Sequence, residues 1–197
     1  MIFSRQKDIP DEVSRAGLGT WYSALSDQNK VKLGRYLKGA DTSSALGFSL
    51  SVMNGANKED NHSLTILIGE NILRNKLTGI ETFEVLERLI PAYFGAKRYD
   101  ECLKYCEEGI NILQKTADDI RLNNGGKLPD NIMCRNYTIN VLVGAYGDYD
   151  AGDEALDRFG EMGLISEEDV KYRKQSHKIH KLQRTFDGIF SVKLKEK

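Results

Sequence analysis

The chain has 197 residues, enough for one well-buried domain or one short helical array. Apolar residues make up 40 % and charged residues 29 %, which excludes a chain too polar to fold, and the formal net charge is only −1. Only three prolines and the scarcity of period-two runs of Val, Ile and Thr both favour helices over sheet.

No apolar run approaches the roughly 20 residues of a membrane span. Residues 1–10 carry Arg5, Lys7 and Asp8 and lack the apolar stretch of a secretory signal. A cytoplasmic location without membrane contact is therefore expected. Cys102, Cys106 and Cys134 are an odd number of cysteines, as expected for thiols in a reducing compartment. In that compartment the sequons at Asn61 and Asn136 are chance matches.

In chain order, Pro10-Asp11-Glu12 starts a first helix expected to reach Leu25, weakened by Gly17 and Gly19. Ser26-Asp27 caps a second to about Lys38, with Gly39 as its stop. A third opens at Asp41-Thr42-Ser43 and is expected to stop at Asn54-Gly55. A fourth, 62–76, has a broad apolar face that implies burial on more than one side. Thr78 and Glu81 form a capping box for a helix over 80–96, in which Pro91 predicts a kink. A long helix over 100–121 turns Leu103, Cys106, Ile110 and Leu113 inward. The Gly125-Gly126 loop leads to helices expected over 131–148 and 153–163, and Ser166-Glu167-Glu168 opens a last one over about 166–191.

Two segments of the chain superimpose. Leu86 to Tyr93, Asp100-Glu101-Cys102-Leu103 and Cys106 match Ile139 to Tyr146, Asp153-Glu154-Ala155-Leu156 and Phe159, with identical internal spacing. The small residues Cys102 and Ala155 fall where two helices would cross closely. The large ones, Tyr93, Tyr146 and Phe159, would fill gaps between neighbouring hairpins. The pattern resembles the tetratricopeptide (TPR) motif over roughly 80–163, although the copies lie 53 residues apart and TPR units recur at about 34. The resemblance implies an all-α fold of antiparallel helical hairpins, a right-handed α-α array closed by a C-terminal capping helix. A single domain is expected: N-terminal helices over 11–77, two TPR-like hairpins over 80–163, and the cap over 166–191.

By the same resemblance, the first helix of each hairpin would line a groove for a protein or peptide. Its residues would be Glu84, Glu87, Arg88, Pro91 and Phe94, then Tyr137, Asn140, Val141, Gly144 and Asp148. The Lys and Asn clamp of the chaperone-tail-binding branch is not reproduced at these positions. The expected function is a protein-interaction adaptor or scaffold.

Charge suggests an alternative. Residues 171–197 hold nine Lys or Arg against Asp187 and Glu196, a net of +7 that leaves −8 on the other 170 residues. Lys171, Arg173, Lys174, Lys178, Lys181 and Arg184, interleaved with Tyr172, Phe186 and Phe190, could contact a nucleic-acid backbone. The competing reading is a cap whose apolar side (Val170, Ile179, Leu182, Phe186, Ile189) seals the last hairpin. Docking of the basic end on the acidic body of a second copy would give a homo-oligomer. Cys102 and Cys106, at i and i+4, read as core packing rather than a metal site. His177 and His180 read as surface residues among lysines, and His62 follows a polar turn. No phosphate-binding glycine loop or nucleophile motif stands out, so neither cofactor, metal nor catalytic residue is expected, and an enzyme on a helical scaffold is the third reading.

Overall fold

A computed structural model describes residues 9–193, except the side chains of Asn123 and of residues 184–193. Every regular element among the described residues is helical. The elements are α1 (Asp11–Arg15), α2 (Gly19–Ala24), α3 (Asp27–Gly34), α4 (Ala45–Lys58), α5 (His62–Ile72), α6 (Gly79–Gly95), α7 (Tyr99–Asn123), α8 (Met133–Ile139), a π-helical segment (Asn140–Ala145), α9 (Tyr149–Glu161) and α10 (Glu167–Lys193). The chain divides into two compact units between Arg98 and Tyr99.

In the first unit the expected helix over 11–25 is two helices. Gly17 takes a φ of +74°, which ends α1, because only glycine enters that region without strain. Ser26 caps α3 by accepting from the Asn29 N–H at 3.3 Å, and α3 ends at Gly34. Asn54-Gly55 does not stop α4, which runs on to Lys58. Gly55 is there for close packing: a Cβ at that position would lie 2.9 Å from Tyr36 Cδ1. The Tyr36 hydroxyl then donates to Glu59 at 2.8 Å, fixing the segment after α3 on the end of α4.

α5 packs against both α4 and α6, and α4 also meets α6. Its broad apolar face is thus buried on two sides, as expected. Leu64, Ile68, Ile72, Leu89 and Ile90 are fully enclosed, each worth about 1.5–3 kcal/mol relative to exposure. Gly69 allows the approach, since a Cβ there would meet Leu89 Cδ1 at 2.7 Å. α5 ends at Ile72 rather than 76, where Asn75 Nδ2 donates to the Ile72 carbonyl at 3.2 Å. The capping box of α6 forms as expected. The Thr78 hydroxyl accepts from the Glu81 N–H at 3.3 Å, and the Glu81 carboxylate accepts from the Thr78 N–H at 2.7 Å. That second bond holds the Glu81 carboxyl below its ordinary range. Pro91 sits inside α6 without ending it. One turn earlier, Asn57 donates to the Arg88 carbonyl at 2.8 Å and accepts from Thr65 at 3.0 Å.

In the second unit α7 packs on α8, α8 on α9, and α9 on α10. Cys102, Cys106, Ile110 and Leu113 face inward from α7, while Leu103 is only half-buried. All three cysteines are buried thiols and fill core positions. The adjacent Cys102 sulfur, together with burial, pushes the Cys106 thiol far above the ordinary thiol range. The expected helix over 131–148 changes type at Asn140. The Tyr146 N–H donates to the Val141 carbonyl, five residues back, at 2.9 Å, so the turn is wider than α. Gly147, at φ +70°, releases the chain, and Asp148 caps α9 by accepting from the Ala151 N–H at 3.0 Å. α9 therefore starts at Tyr149, four residues before the expected start. Ser166 caps α10, accepting from the Asp169 N–H at 3.1 Å.

Candidate functional site

The second unit presents a groove of about 540 Å³. Leu103 on α7, Thr138 and Leu142 below it, and Ala151 and Ala155 on α9 supply the less polar lining. Asp100, Lys104 and Glu107 stand on one rim, and Glu154 and Arg158 on the other. One contact bridges the rims, and a second ties Asp100 to the end of the π-helical segment. Arg158 Nη2 alone donates to both Glu107 carboxylate oxygens, at 2.8 and 2.7 Å, a charge-assisted contact made through one terminal nitrogen. Nearer the start of α7, the Tyr146 hydroxyl donates to Asp100 at 2.6 Å, and its ring meets Tyr99 edge-on at 6.0 Å. The Asp100 hydrogen bond, more than burial, pushes the Tyr146 phenol up to about 12. The π-helical segment positions this set, since it carries Leu142 into the groove and leads directly into Tyr146.

α10 lies antiparallel to α9 along a three-rung polar ladder. Lys174 Nζ is 2.6 Å from Asp157, His177 Nδ1 is 2.7 Å from Asp153, and Lys181 Nζ is 2.9 Å from Asp150. His177 also meets the Tyr149 ring edge-on at 6.0 Å and is only 8 % exposed. The surface reading of His177 is therefore corrected: its carboxylate partner comes from another helix, out of reach of a local reading. His180 is exposed, as expected. His62 is half-buried, and a Cβ at Gly95 would lie 2.2 Å from its Nε2.

Among the described side chains, the reading of α10 as an apolar seal is not met. Ile179 and Leu182 are 50 % and 59 % exposed, and Tyr172 is exposed with them. Val170 alone of the described members turns inward, half-buried, with its Cγ2 3.0 Å from where a Cβ at Gly160 would stand. The side chains of Arg184, Phe186, Ile189, Phe190 and Lys193, and residues Lys195 and Lys197 altogether, lie outside the described residues. Of the basic residues singled out for nucleic acid, Lys174 and Lys181 are engaged by carboxylates. Lys171 and Lys178 are exposed, and Arg173 is half-buried beside Arg135.

The groove residues expected from the repeat fall in both units. On α6, Glu84 is exposed and Glu87, Arg88, Pro91 and Phe94 are half-buried. Arg88 is held by Asn54 at 2.9 Å and by the Glu84 carbonyl at 2.7 Å. In the second unit Asn140 and Gly144 are exposed and Val141 is fully buried. Tyr137 is half-buried, and burial raises its phenol. Asp148 is occupied as the cap of α9. The helix expected to line the groove contributes Thr138 and Leu142 instead, one position away in register. Their spacing of four, which places both on one helix face, was the available signal. For His177 the signal was a matched spacing: Asp150, Asp153 and Asp157, like Lys174, His177 and Lys181, recur at i, i+3 and i+7.

No protein-family model matches the chain, and comparison with curated proteins and with solved structures gives no match.

Proposed function

We propose that the protein is a TPR-like interaction module that binds a peptide segment of a partner protein in the groove between α7 and α9. The observation that carries this reading is the groove itself, a helix-lined trough with aliphatic residues beneath two charged rims. The rims favour a segment that inserts an apolar side chain and offers a basic group, since Asp100, Glu107 and Glu154 outnumber Lys104 and Arg158. The resemblance rests on the paired sequence segments at 86–106 and 139–159, and it is this resemblance, taken with the groove, that favours an adaptor.

Nucleic acid at α10 is the weaker reading, because two of its lysines already answer carboxylates on α9. One experiment separates the two. The tagged chain and an Ala155→Arg variant are used to isolate partners from native lysate, each with and without nuclease. The adaptor reading expects a stoichiometric protein that survives nuclease and is lost with Ala155→Arg. A partner lost on nuclease treatment, or one retained in full by a folded Ala155→Arg variant, would overturn it.

A further inference from the structure

A second concavity of the second unit, about 600 Å³ in volume, lies under the loop over 124–130. It is independent of the groove and shares no residue with it. Four cationic side chains line it, Arg121, Lys127, Arg135 and Arg173, against the carboxylates of Asp130 and Asp169.

Arg135 is the anchor. It is only 6 % exposed. Its terminal nitrogens donate to the carbonyls of Leu164 and Asp130, which ties the loop to the α9–α10 turn. Its Nε is buried with no hydrogen-bond partner. Burial, and after it the positive charge of Arg173, holds this guanidinium below its ordinary pKa. Two like charges thus face each other in a partly desolvated site, where repulsion is weakly screened.

The local carboxylates, Asp130 and Asp169, offset that charge only in part, and the net effect on Arg135 still lowers its pKa. Asp130 meets Arg135 through its backbone carbonyl, and the Asp169 carboxylate accepts from the Ser166 hydroxyl at 3.0 Å within the α10 cap. Arg121 is turned toward Asp118, at 2.8 Å, and the Gly163 carbonyl, at 2.9 Å. Arg173 has no ion pair or hydrogen bond among the described residues.

Guanidinium forks match the oxygens of a phosphate, and the volume lies in the roughly 300–1,000 Å³ range of small-molecule sites. The two carboxylates would repel an extended polyanion but accept hydrogen bonds from hydroxyl groups. We propose that this cavity binds a small phosphorylated polyol, its phosphate between Arg135 and Arg173 and its hydroxyls donating to Asp130 and Asp169.

The test is calorimetric titration of the full chain at constant ionic strength with ribose 5-phosphate, ribose and inorganic phosphate. Ribose 5-phosphate should bind, inorganic phosphate more weakly, and ribose not at all. Arg173→Gln should weaken ribose 5-phosphate about tenfold or more, the loss of one charge-assisted pair. Because Arg173 holds no neighbour in place, that variant should keep the helical circular-dichroism spectrum and a melting temperature no lower than the parent's. Asp130→Ala, which removes both the hydroxyl acceptor and a negative charge, should narrow the preference for ribose 5-phosphate over inorganic phosphate. Absence of heat with ribose 5-phosphate at millimolar concentration would overturn the proposal. Equal affinity in a folded Arg173→Gln variant would do the same.

Discussion

His177 Nδ1 lies 2.7 Å from Asp153 Oδ1, and this pair is the middle and least exposed rung of the ladder between α9 and α10. The outer rungs, Lys174 with Asp157 and Lys181 with Asp150, are wetter and shield it from solvent. A hydrogen bond to a charged group in such a place contributes about 1.5–3 kcal/mol. We expect His177→Ala to destabilise the second unit by that amount. Asp153→Asn should cost less, because an amide still accepts. Urea unfolding of the single and double variants gives the coupling energy, and additive losses would mean the two side chains act separately.

Tyr146 supplies a pH signature. Its phenol is raised from 10.0 to about 12 by the hydrogen bond to Asp100, so the neutral form is the one favoured by folding. The stabilisation is therefore complete below pH about 10 and disappears as pH rises toward 12. Absorbance titration near 295 nm, parent minus Tyr146→Phe, should show one tyrosine ionising near 12. A difference curve centred near 10 would mean that the contact with Asp100 is absent in solution.

Gly152 brings α9 close against the π-helical segment. A Cβ there would lie 2.3 Å from Val143 Cγ2 and 3.6 Å from His177 Cε1. Valine is stiff at χ1 and cannot swing aside freely. Gly152→Ala should destabilise the second unit by about 1–3 kcal/mol despite alanine's better helix propensity. Gly144→Ala, with nothing within 4 Å of the new Cβ, is the control and should be neutral or stabilising.

The thiols test the core directly. Cys102, Cys106 and Cys134 are all buried. An aromatic disulfide reagent should label none of the three quickly in the native chain and all three in denaturant. Fast native labelling of one would place it at the surface.

Much of the helical architecture could be read from the chain because its signals are local. Thr78 with Glu81, Ser26 and Ser166 announce helix starts through bonds spanning three residues. Boundaries failed at two glycines for different reasons, one a distant partner and one a backbone angle. Gly55 looks like a stop until Tyr36 is seen against it, and Gly17 looks tolerable until its φ is known. The site was harder to read for the same reasons. Tyr93 and Tyr146 occupy matched places in the repeated pattern, yet Tyr93 is 1 % exposed and Tyr146 47 %. Tyr93 lies within the α-helix α6, whereas Tyr146 follows a π turn, so equal spacing in the sequence is not equal rotation about the axis. Pairing of Asp153 with His177 spans 24 residues and could be suggested only by the matched triplets on the two helices.

That π turn has a consequence for the length of the chain. A π turn holds one residue more than the α turn it replaces. Removing a single residue within 140–145 would let the segment close as ordinary α-helix, with α8 and α9 keeping their own faces. The same deletion in α7 just ahead of Ile110 would rotate every later side chain of that helix by about 100°, carrying Ile110 and Leu113 out of the core. The segment beneath the groove is thus a reserve of slack, where a one-residue deletion shortens a wide turn instead of rotating a whole helix.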